Sequence, residues 1–260
     1  MPRFFVPTAQ FCDLQQGHPR TLTVLGEDAH HISRSLRMAV GEHIVVCPAD
    51  GACRGQVEYA CRLTAFDGTS VEAEVEQVLP CRAEPPYALR LYVALSKADK
   101  LETVIQKAVE CGACAIVPFV SSRCIAKPGD GEEKKLLRRQ RIVLEAAKQC
   151  GRGLVPEITQ PISYAAMLRE AAAADLPLFC YEGEQTLTLP DAIARADAPV
   201  RTVSVVVGAE GGFSPDEAAA AQMAGLWPVG LGARILRCET APVFALACIS
   251  YALELGSAQE

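Results

Sequence analysis

The sequence predicts an α/β protein whose N-terminal part is rich in strands and whose larger C-terminal part alternates strands with helices. The first eighty residues hold short β-branched segments bounded by turn-forming residues, which is typical of strands. Residues 80–87 contain three prolines, and we interpret them as an interdomain linker. Beyond them, alternating strand and helix patterns predict a parallel sheet covered by helices. We therefore expect two domains, at residues 1–80 and 81–260.

Four strands and one helix are predicted in the N-terminal domain. The strand segments are RFFV, RTLTVL, EHIVVC and SVEAEVEQVL, and we expect a hairpin turn at Asp50-Gly51. The helical segment GEDAHHISRSLRM turns Arg34 and Arg37 away from its apolar side. Its spacing places four residues roughly on one face, namely Ala29, Ile32, Leu36 and Ala39.

Five strands and six helices are predicted in the C-terminal domain. The strand segments are LRLYVAL, CAIVPFV, PLFCY, TVSVVVG and WPVGLG. Helices are expected at Lys97–Cys111, Glu132–Gln149, Tyr164–Ala174, Leu189–Ala196, Pro215–Ala224 and near Ala241–Leu255. Ligands of open parallel sheets bind beyond the carboxyl ends of the strands. The loops after Tyr181, Val207 and Leu231 should therefore converge on one site.

Length and composition fit one large or two modest globular domains. The chain has 260 residues, of which 50% are apolar, and this is ample for a sizeable core. Its first residues do not form a secretory signal, and the apolar stretch from Thr240 to Leu253 is too short to span a bilayer. We therefore expect a cytoplasmic protein with no membrane partner.

The positions of cysteine and histidine give little support to a metal site. The twelve cysteines are scattered along a long chain, for which reduced thiols are the common state. The only Cys-x-x-Cys pair is Cys111 with Cys114, and no second ligand pair of matching spacing accompanies it. We expect no metal and interpret this pair as a turn between a helix and a strand, with a metal or redox role as the minor alternative.

The charge distribution is compatible with a polyanionic partner. The net charge is −6, but the segment from Ser121 to Arg152 holds nine Lys or Arg against four acids. A local basic surface on an acidic body suits a partner such as a nucleic acid. A solvated helix face is an equally good explanation of the EEKKLLRRQR run within that segment.

The segment VVVGAEGGFSPDE, residues 205–217, predicts a strand, a glycine-rich loop and a capped helix start. Ser214 can cap the helix and Glu217 can close a capping box. This layout often binds phosphate, but the Glu210 carboxylate would repel it. The spacing of Gly208, Gly211 and Gly212 does not match a dinucleotide fingerprint. A ligand with hydroxyls or a positive centre therefore suits the loop better.

A second chemistry-bearing segment, GLGARILRCETAPVFALACISYAL, begins at Gly230. It places Arg234, Arg237 and Glu239 between a glycine turn and a buried final helix. We take Arg237 and Glu239 as the first candidates for polar groups of an active site, with a structural ion pair that braces the loop as the alternative.

These two loops, VGAEGGFSPDE and LGARILRCETA, together resemble the signature loops of the RsmE family of 16S rRNA uridine methyltransferases, in the knotted SPOUT class. The sequence departs from the family pattern at Ala209, where proline is usual, at Cys238, where threonine is usual, and at Cys111, where leucine is common. Four further segments are similar to the family in the right order, namely HHISRSLRMAVGE, KADKLETVIQKAVECG, SSRC and QCGR.

The resemblance implies a SPOUT-type parallel sheet with a C-terminal trefoil knot, preceded by a small PUA-like β-barrel domain that binds RNA. It also implies a homodimer and the cofactor S-adenosylmethionine, whose sulfonium centre would answer the objection that Glu210 raises against phosphate. The cofactor residues that it implies are Tyr181, Glu182, Gly208, Ala209, Glu210, Gly211, Gly212, Leu231, Gly232, Ile235 and Leu236.

The implied reaction is methylation of N3 of a uridine in the 16S rRNA of the 30S subunit. Glu239 would accept the N3 proton and Arg237 would stabilise charge on the uracil oxygens. Two alternatives stay open. The chain could be a SPOUT methyltransferase that acts on another RNA, or a ribosome-binding factor without catalytic activity. We expect five arginines to contact RNA phosphates, namely Arg3, Arg34, Arg37, Arg123 and Arg152. For Arg152, the alternative is a buried position in which it braces the fold.

Overall fold

The computed structural model describes residues 1–15, 17–129, 131–183 and 186–256. The chain forms two units of α/β structure. The first contains Met1–Glu84 and Ala147–Val155, and the second contains Pro85–Ala146 and the chain from Pro156 onward. Segment 147–155, which the sequence patterns left in the C-terminal part, thus belongs to the first unit.

The first unit is built on a mixed sheet with strand order β1-β4-β5-β6-β3-β2. Strand β1 pairs with β4 in parallel, and the other pairs are antiparallel. Its inward face carries the apolar core, which includes Phe4, Ile44 and Leu63. The strands are β1 Arg3–Val6, β2 Phe11–Cys12, β3 Thr21–Leu25, β4 His43–Pro48, β5 Val57–Asp67 and β6 Ser70–Pro80.

Strand β5 is the largest omission from the sequence prediction. Its residues alternate, with Tyr59, Cys61 and Leu63 buried, but few of them are β-branched, and Glu58 and Arg62 interrupt the apolar pattern. The hairpin predicted at Asp50-Gly51 is present, because β4 and β5 pair antiparallel across this connection, but the connection is the longer segment 49–56 and not a two-residue turn. A two-residue turn lies instead at Gly68-Thr69, between Asp67 of β5 and Ser70 of β6, which pair with each other.

The helix of the first unit is shorter than the sequence predicts. Helix α1, Gly26–His30, continues into a single π-helical turn at His31–Ser35 and ends there. Ala29 and Ile32 are buried as predicted, but Leu36 and Ala39 are exposed because they follow the last helical residue. Met38 packs against the core in their place.

The described part of the second unit forms one sheet of eight strands, all paired in parallel. The order is β10-β8-β7-β13-β11-β14-β12, and β9 also pairs with β8. The strands are β7 Ala88–Ala94, β8 Ala115–Val120, β9 Glu157–Ile158, β10 Ile162–Ser163, β11 Leu176–Cys180, β12 Leu187–Thr188, β13 Thr202–Val207 and β14 Trp227–Gly230.

The parallel sheet and the six helices after residue 81 confirm the predicted fold class. Strand β13 is buried over five of its six residues, as expected for a central strand covered on both faces. The two-residue strands β9, β10 and β12 are too short to leave a sequence pattern. The helices are α2 Ala98–Glu110, α3 Glu132–Cys150, α4 Tyr164–Ala171, α5 Leu189–Arg195, α6 Pro215–Met223 and α7 Thr240–Ser250.

Helix α7 is followed by a π-helical turn at Tyr251–Leu255, so the final helical region ends where the sequence predicts. Within the described ranges, no helix combines the length and the apolar content needed to cross a membrane. The trefoil knot and the PUA-like character of the first unit stay predictions.

Candidate active site

A cavity of about 880 Å³ lies at the carboxyl edge of the parallel sheet, beyond strands β11, β13 and β14. This volume is in the range of small-molecule sites, which enclose roughly 300–1,000 Å³. The loops that follow the three strands meet there because parallel neighbours end at the same edge of a sheet. The second unit therefore offers a ligand site where the sequence pattern placed one.

The residues implied for the cofactor lie together around this cavity. Candidates come from three loops, one after each strand, and every one of them lines the cavity. The loops are separated in the chain by tens of residues, so their meeting is a product of the sheet order. The lining candidates are Tyr181, Glu182, Gly208, Ala209, Glu210, Gly211, Gly212, Leu231, Gly232, Ile235 and Leu236.

The glycine loop after β13 turns back on itself. The Gly212 amide donates to the Ala209 carbonyl at 2.9 Å, and Gly212 has a φ of +61°, which favours glycine. A side chain at Gly211 would come within 3.1 Å of Cβ of Arg123, whose guanidinium donates to the Gly211 carbonyl at 2.9 Å. The loop is therefore held close to the Ser121–Cys124 turn.

The start of α6 fixes the far end of this loop. The Ser214 hydroxyl accepts from the Glu217 amide at 3.2 Å, and the Glu217 carboxylate accepts from the Ser214 amide at 2.9 Å. The capping box predicted from the sequence is thus present. The other Glu217 oxygen accepts from the Ser122 amide at 2.7 Å. Burial opposes the Glu217 charge, but these hydrogen bonds still lower the pKa of its carboxyl.

A lysine links the two loops that the sequence singled out. Nζ of Lys100, in the first turn of α2, lies 3.3 Å from the Glu210 carboxylate and 3.5 Å from the Glu239 carboxylate. The pKa of Glu210 is lowered, first by its own backbone amide and then by Lys100. The Glu210 carboxylate, which disfavours a phosphate in the glycine loop, thus forms an ion pair with Lys100.

Glu239 also accepts a hydrogen bond from its neighbour in the chain. The Sγ–H of Cys238 donates to the Glu239 carboxylate at 3.1 Å. This contact is the main reason that the pKa of Glu239 is lowered, with its own amide and Lys100 adding to it. Burial, this hydrogen bond and the nearby carboxylates raise the pKa of Cys238 to about 12, so Cys238 stays a neutral thiol.

Arg234 and Arg237 line the same cavity and are exposed. The cation that lies within 4 Å of the Glu239 carboxylate, among the described residues, is Lys100 and not Arg237. The alternative of an Arg237–Glu239 brace therefore has no support from the geometry. Arg237 thus stays an exposed residue that lines the cavity.

The five arginines proposed to contact RNA fall into three groups. Arg34 and Arg37 are exposed in the first unit. Arg123 lines the cavity and is exposed, although one of its nitrogens holds the glycine loop. Arg3 and Arg152 already have protein partners.

The partners of Arg152 favour its bracing alternative. Its side chain is 3% exposed and donates through Nε and Nη2 to the Glu84 carboxylate, at distances of 2.7 to 3.0 Å. Arg3 pairs with Glu58 at 2.8 Å and donates to Cys47 at 2.9 Å. An arginine buried against a carboxylate would have to leave it before it could bind a phosphate.

The described residues contain no cluster of three or more His, Cys, Asp or Glu side chains that could hold a metal ion. Cys111 and Cys114, the pair that raised the question, lie at the end of α2 and just before β8.

Comparison with known proteins identifies the family. A family model described as RNA methyltransferase domain matches residues 83–250, more than half of the chain. The ribosomal RNA small subunit methyltransferase E of Bacillus subtilis is 32% identical over 259 residues, which are 98% of each chain. The chain belongs to the small subunit methyltransferase E family. The resemblance to this family, noted from the sequence, is thereby confirmed.

Two solved structures of methyltransferases are similar to this chain over nearly its whole length. The Neisseria gonorrhoeae member, described as bound to S-adenosylmethionine, is 30% identical and has a TM-score of 0.81, with 97% of this chain and 98% of that chain covered. A Legionella pneumophila structure, assigned as a methyltransferase and described with bound cofactor SAM, is 29% identical with a TM-score of 0.79, covering 96% and 97% of the chains.

Sequence reasoning about this small subunit methyltransferase E family member missed Lys100. The residue lies in the KADKLETVIQKAVECG segment, which was recognised as similar to the family but assigned no role. Because α2 follows β7, the first turn of α2 lies at the same sheet edge as the other loops. The signal that could have indicated Lys100 is a basic residue in the first turn of a helix that directly follows a strand of the parallel sheet.

Proposed function

We propose that this chain transfers a methyl group from S-adenosylmethionine to N3 of a uridine in 16S rRNA of the 30S subunit. The observation that carries the proposal is the cavity between the loops after β13 and β14, in a chain of the small subunit methyltransferase E family. Relatives with 29% and 30% identity are described with the same cofactor bound.

The chemistry of the cavity fits this cofactor. Glu182, Glu210 and Glu239 surround it, and carboxylates suit ribose hydroxyls and a sulfonium cation. Apolar side chains, including Leu231 and Leu236, supply surface for the adenine ring. We propose that the eleven lining candidates named above form the cofactor site, with much of the recognition made by backbone groups of the small residues.

When bound, S-adenosylmethionine supplies a methyl group on a positively charged sulfur. The rest of the reaction depends on how the chain handles the uracil. N3 of neutral uracil carries a proton, so its attack requires that this proton leave and that the resulting charge on O2 and O4 be stabilised. Arg237 lines the cavity and is exposed, and a guanidinium there could donate to those oxygens.

We propose that Glu239 accepts the N3 proton. Its lowered pKa keeps the carboxylate ionised at neutral pH, which is the state that a proton acceptor needs. The same lowering makes Glu239 a weak base, so the role depends on stabilisation of the uracil anion by Arg237. The two residues therefore act together, from the end of one loop.

We further propose that RNA is bound by Arg34 and Arg37 of the first unit and by Arg123 beside the cavity. All three are exposed, and arginine makes strong contacts with phosphate. The PUA-like assignment of residues 1–80, the SPOUT assignment of residues 81–260, a C-terminal knot, a homodimer and a cytoplasmic location are parts of this proposal that the family resemblance implies.

Calorimetric titration of the full chain with S-adenosylmethionine tests the proposal. We expect a dissociation constant in the micromolar range, with S-adenosylhomocysteine competing for the same site. Absence of binding at millimolar concentrations would contradict a cofactor role for the cavity and would favour a non-catalytic ribosome-binding factor. Arg20→Glu, which changes an exposed residue of the first unit, serves as the control and should bind unchanged.

A further inference from the structure

Lys100 occupies a position that connects three separate parts of the second unit. It lies in the first turn of α2, while Glu210 belongs to the loop after β13 and Glu239 to the loop before α7. Besides both carboxylates, its Nζ approaches Sγ of Cys238 at 3.9 Å. The side chains of Lys100, Glu210 and Glu239 are each about 30% exposed or less, so water screens them only in part.

The charges of this cluster depend on one another. The Glu210 side chain accepts a hydrogen bond from Lys100 and is the main reason that the pKa of Lys100 is raised. Lys100 in turn helps to keep Glu210 and Glu239 ionised. Two carboxylates that share one ammonium attract it, whereas without it they would repel each other.

We propose that Lys100 is a positioning residue for methyl transfer, which holds the Glu210 loop and the Glu239 loop together across the cofactor cavity. The inference rests on the proposed function, since both loops line the cavity assigned to the cofactor. It goes beyond that function because it assigns the closure of the site to a residue outside both signature loops.

Lys100 sets the charge of the cluster as well as the distance between the loops. With Lys100 present, the three groups carry a net charge of −1, whereas the two carboxylates alone carry −2 and repel each other. Lys100→Met leaves two unpaired carboxylates facing each other, and the loops should move apart. Lys100→Arg keeps the charge and can reach both carboxylates, so it should retain most of the closure.

Hydrogen exchange of the ligand-free protein tests the closure without any methyl donor. In Lys100→Met we expect faster amide exchange in both 208–213 and 231–239, with near-normal exchange in Lys100→Arg. Lys107→Met is the matched control, because it removes a lysine of the same helix whose partner is the neighbouring Glu110. Unchanged exchange in either loop of Lys100→Met would overturn the proposal.

Cofactor affinity gives a second test that separates positioning from a general loss of stability. Lys100→Met should weaken S-adenosylmethionine binding about ten-fold, while the same change in a Glu210→Gln/Glu239→Gln background should weaken it less than about two-fold. An equal loss in both backgrounds would overturn the proposal. If Lys100→Met lowers the Tm of the protein, Lys100→Gln is used in its place in both experiments.

Failure of the positioning role is distinguishable from failure of the proposed function. If the wild-type chain does not bind S-adenosylmethionine, the proposed function fails, and the hydrogen exchange experiment still decides whether Lys100 joins the loops. If binding is normal and exchange is insensitive to Lys100, the function stands and the positioning role falls.

Discussion

Cys238 stands where the family usually has threonine, and it makes a contact that a threonine could also make. Its thiol donates to Glu239 at 3.1 Å, as a threonine hydroxyl would, and its raised pKa keeps the proton in place. The feature that matters at this position is therefore a small side chain with a hydrogen-bond donor.

We predict that Cys238→Thr retains the methyl-transfer rate within about two-fold, because the hydroxyl replaces the thiol as donor. Cys238→Val has the shape of threonine without the donor, and it should reduce kcat/KM by about ten-fold, near the typical worth of one hydrogen bond to a charged group. Steady-state kinetics of the two variants make the comparison. Equal rates in both would show that the hydrogen bond to Glu239 has no role.

Glu239→Gln tests the proton-acceptor role. The amide is similar in shape but accepts no proton, so the single-turnover rate at saturating cofactor should fall by about 10²-fold or more. The cofactor affinity, measured by calorimetry, should change far less than the rate. A folded Glu239→Gln protein with an unchanged single-turnover rate would contradict the assignment.

At the scale of elements, the start of α6 anchors the glycine loop through Glu217. This carboxylate accepts from two backbone amides, those of Ser122 and Ser214, and is almost fully buried. Its pKa is lowered in the folded protein, so its contribution to stability is present above the unfolded pKa and is lost as the pH falls through the folded pKa.

Glu217→Gln should therefore lower the free energy of unfolding by about 1–3 kcal/mol near neutral pH, since it weakens hydrogen bonds to a charged group. The difference from wild type should begin to shrink as the pH falls below about 4.3, where the carboxyl of the unfolded chain takes up a proton, and it should vanish once the pH falls below the lowered pKa of the folded carboxylate. Urea unfolding of both proteins at a series of pH values measures this difference in the free energy of unfolding. Asp216→Asn, on the exposed side of the same turn, is the control. A gap that is independent of pH would contradict the role of the charge.

Most helices and strands and the two signature loops could be predicted because their patterns are contiguous in the sequence. Contacts between residues far apart in the chain could not be predicted. Strands β7 and β13 are nearly continuous apolar runs and were found, whereas β5 was missed because Glu58 and Arg62 interrupt its apolar pattern and few of its residues are β-branched. The glycine loop and its capped helix are contiguous motifs. Lys100 was missed because Glu210 lies 110 residues away, a separation that leaves no periodicity. Burial of Arg152 against Glu84 likewise depends on residues 68 positions apart.

At the scale of the whole molecule, we assign cofactor chemistry to the second unit and part of the RNA affinity to the first. The net charge of −6 disfavours RNA, so local arginines must supply the contacts. Arg34 and Arg37 follow α1 at the π-helical turn and just after it, where both are exposed.

Reversal of both residues, in Arg34→Glu/Arg37→Glu, should weaken binding to 16S rRNA and make its dependence on salt shallower, by about one unit of slope for each phosphate that an arginine no longer neutralises. Filter binding at several salt concentrations measures both quantities. Cofactor affinity should stay unchanged, and Arg20→Glu should have a smaller effect on the slope. Loss of cofactor binding would indicate that the two arginines support the fold instead.

The identity of the methylated nucleoside tests the central claim most directly. Unmodified 30S subunits and free 16S rRNA are incubated with the chain and isotopically labelled S-adenosylmethionine, and the RNA is digested and analysed by mass spectrometry. We predict label in 3-methyluridine at a single 16S position. Label in any other nucleoside, or on a ribose, would contradict the claim.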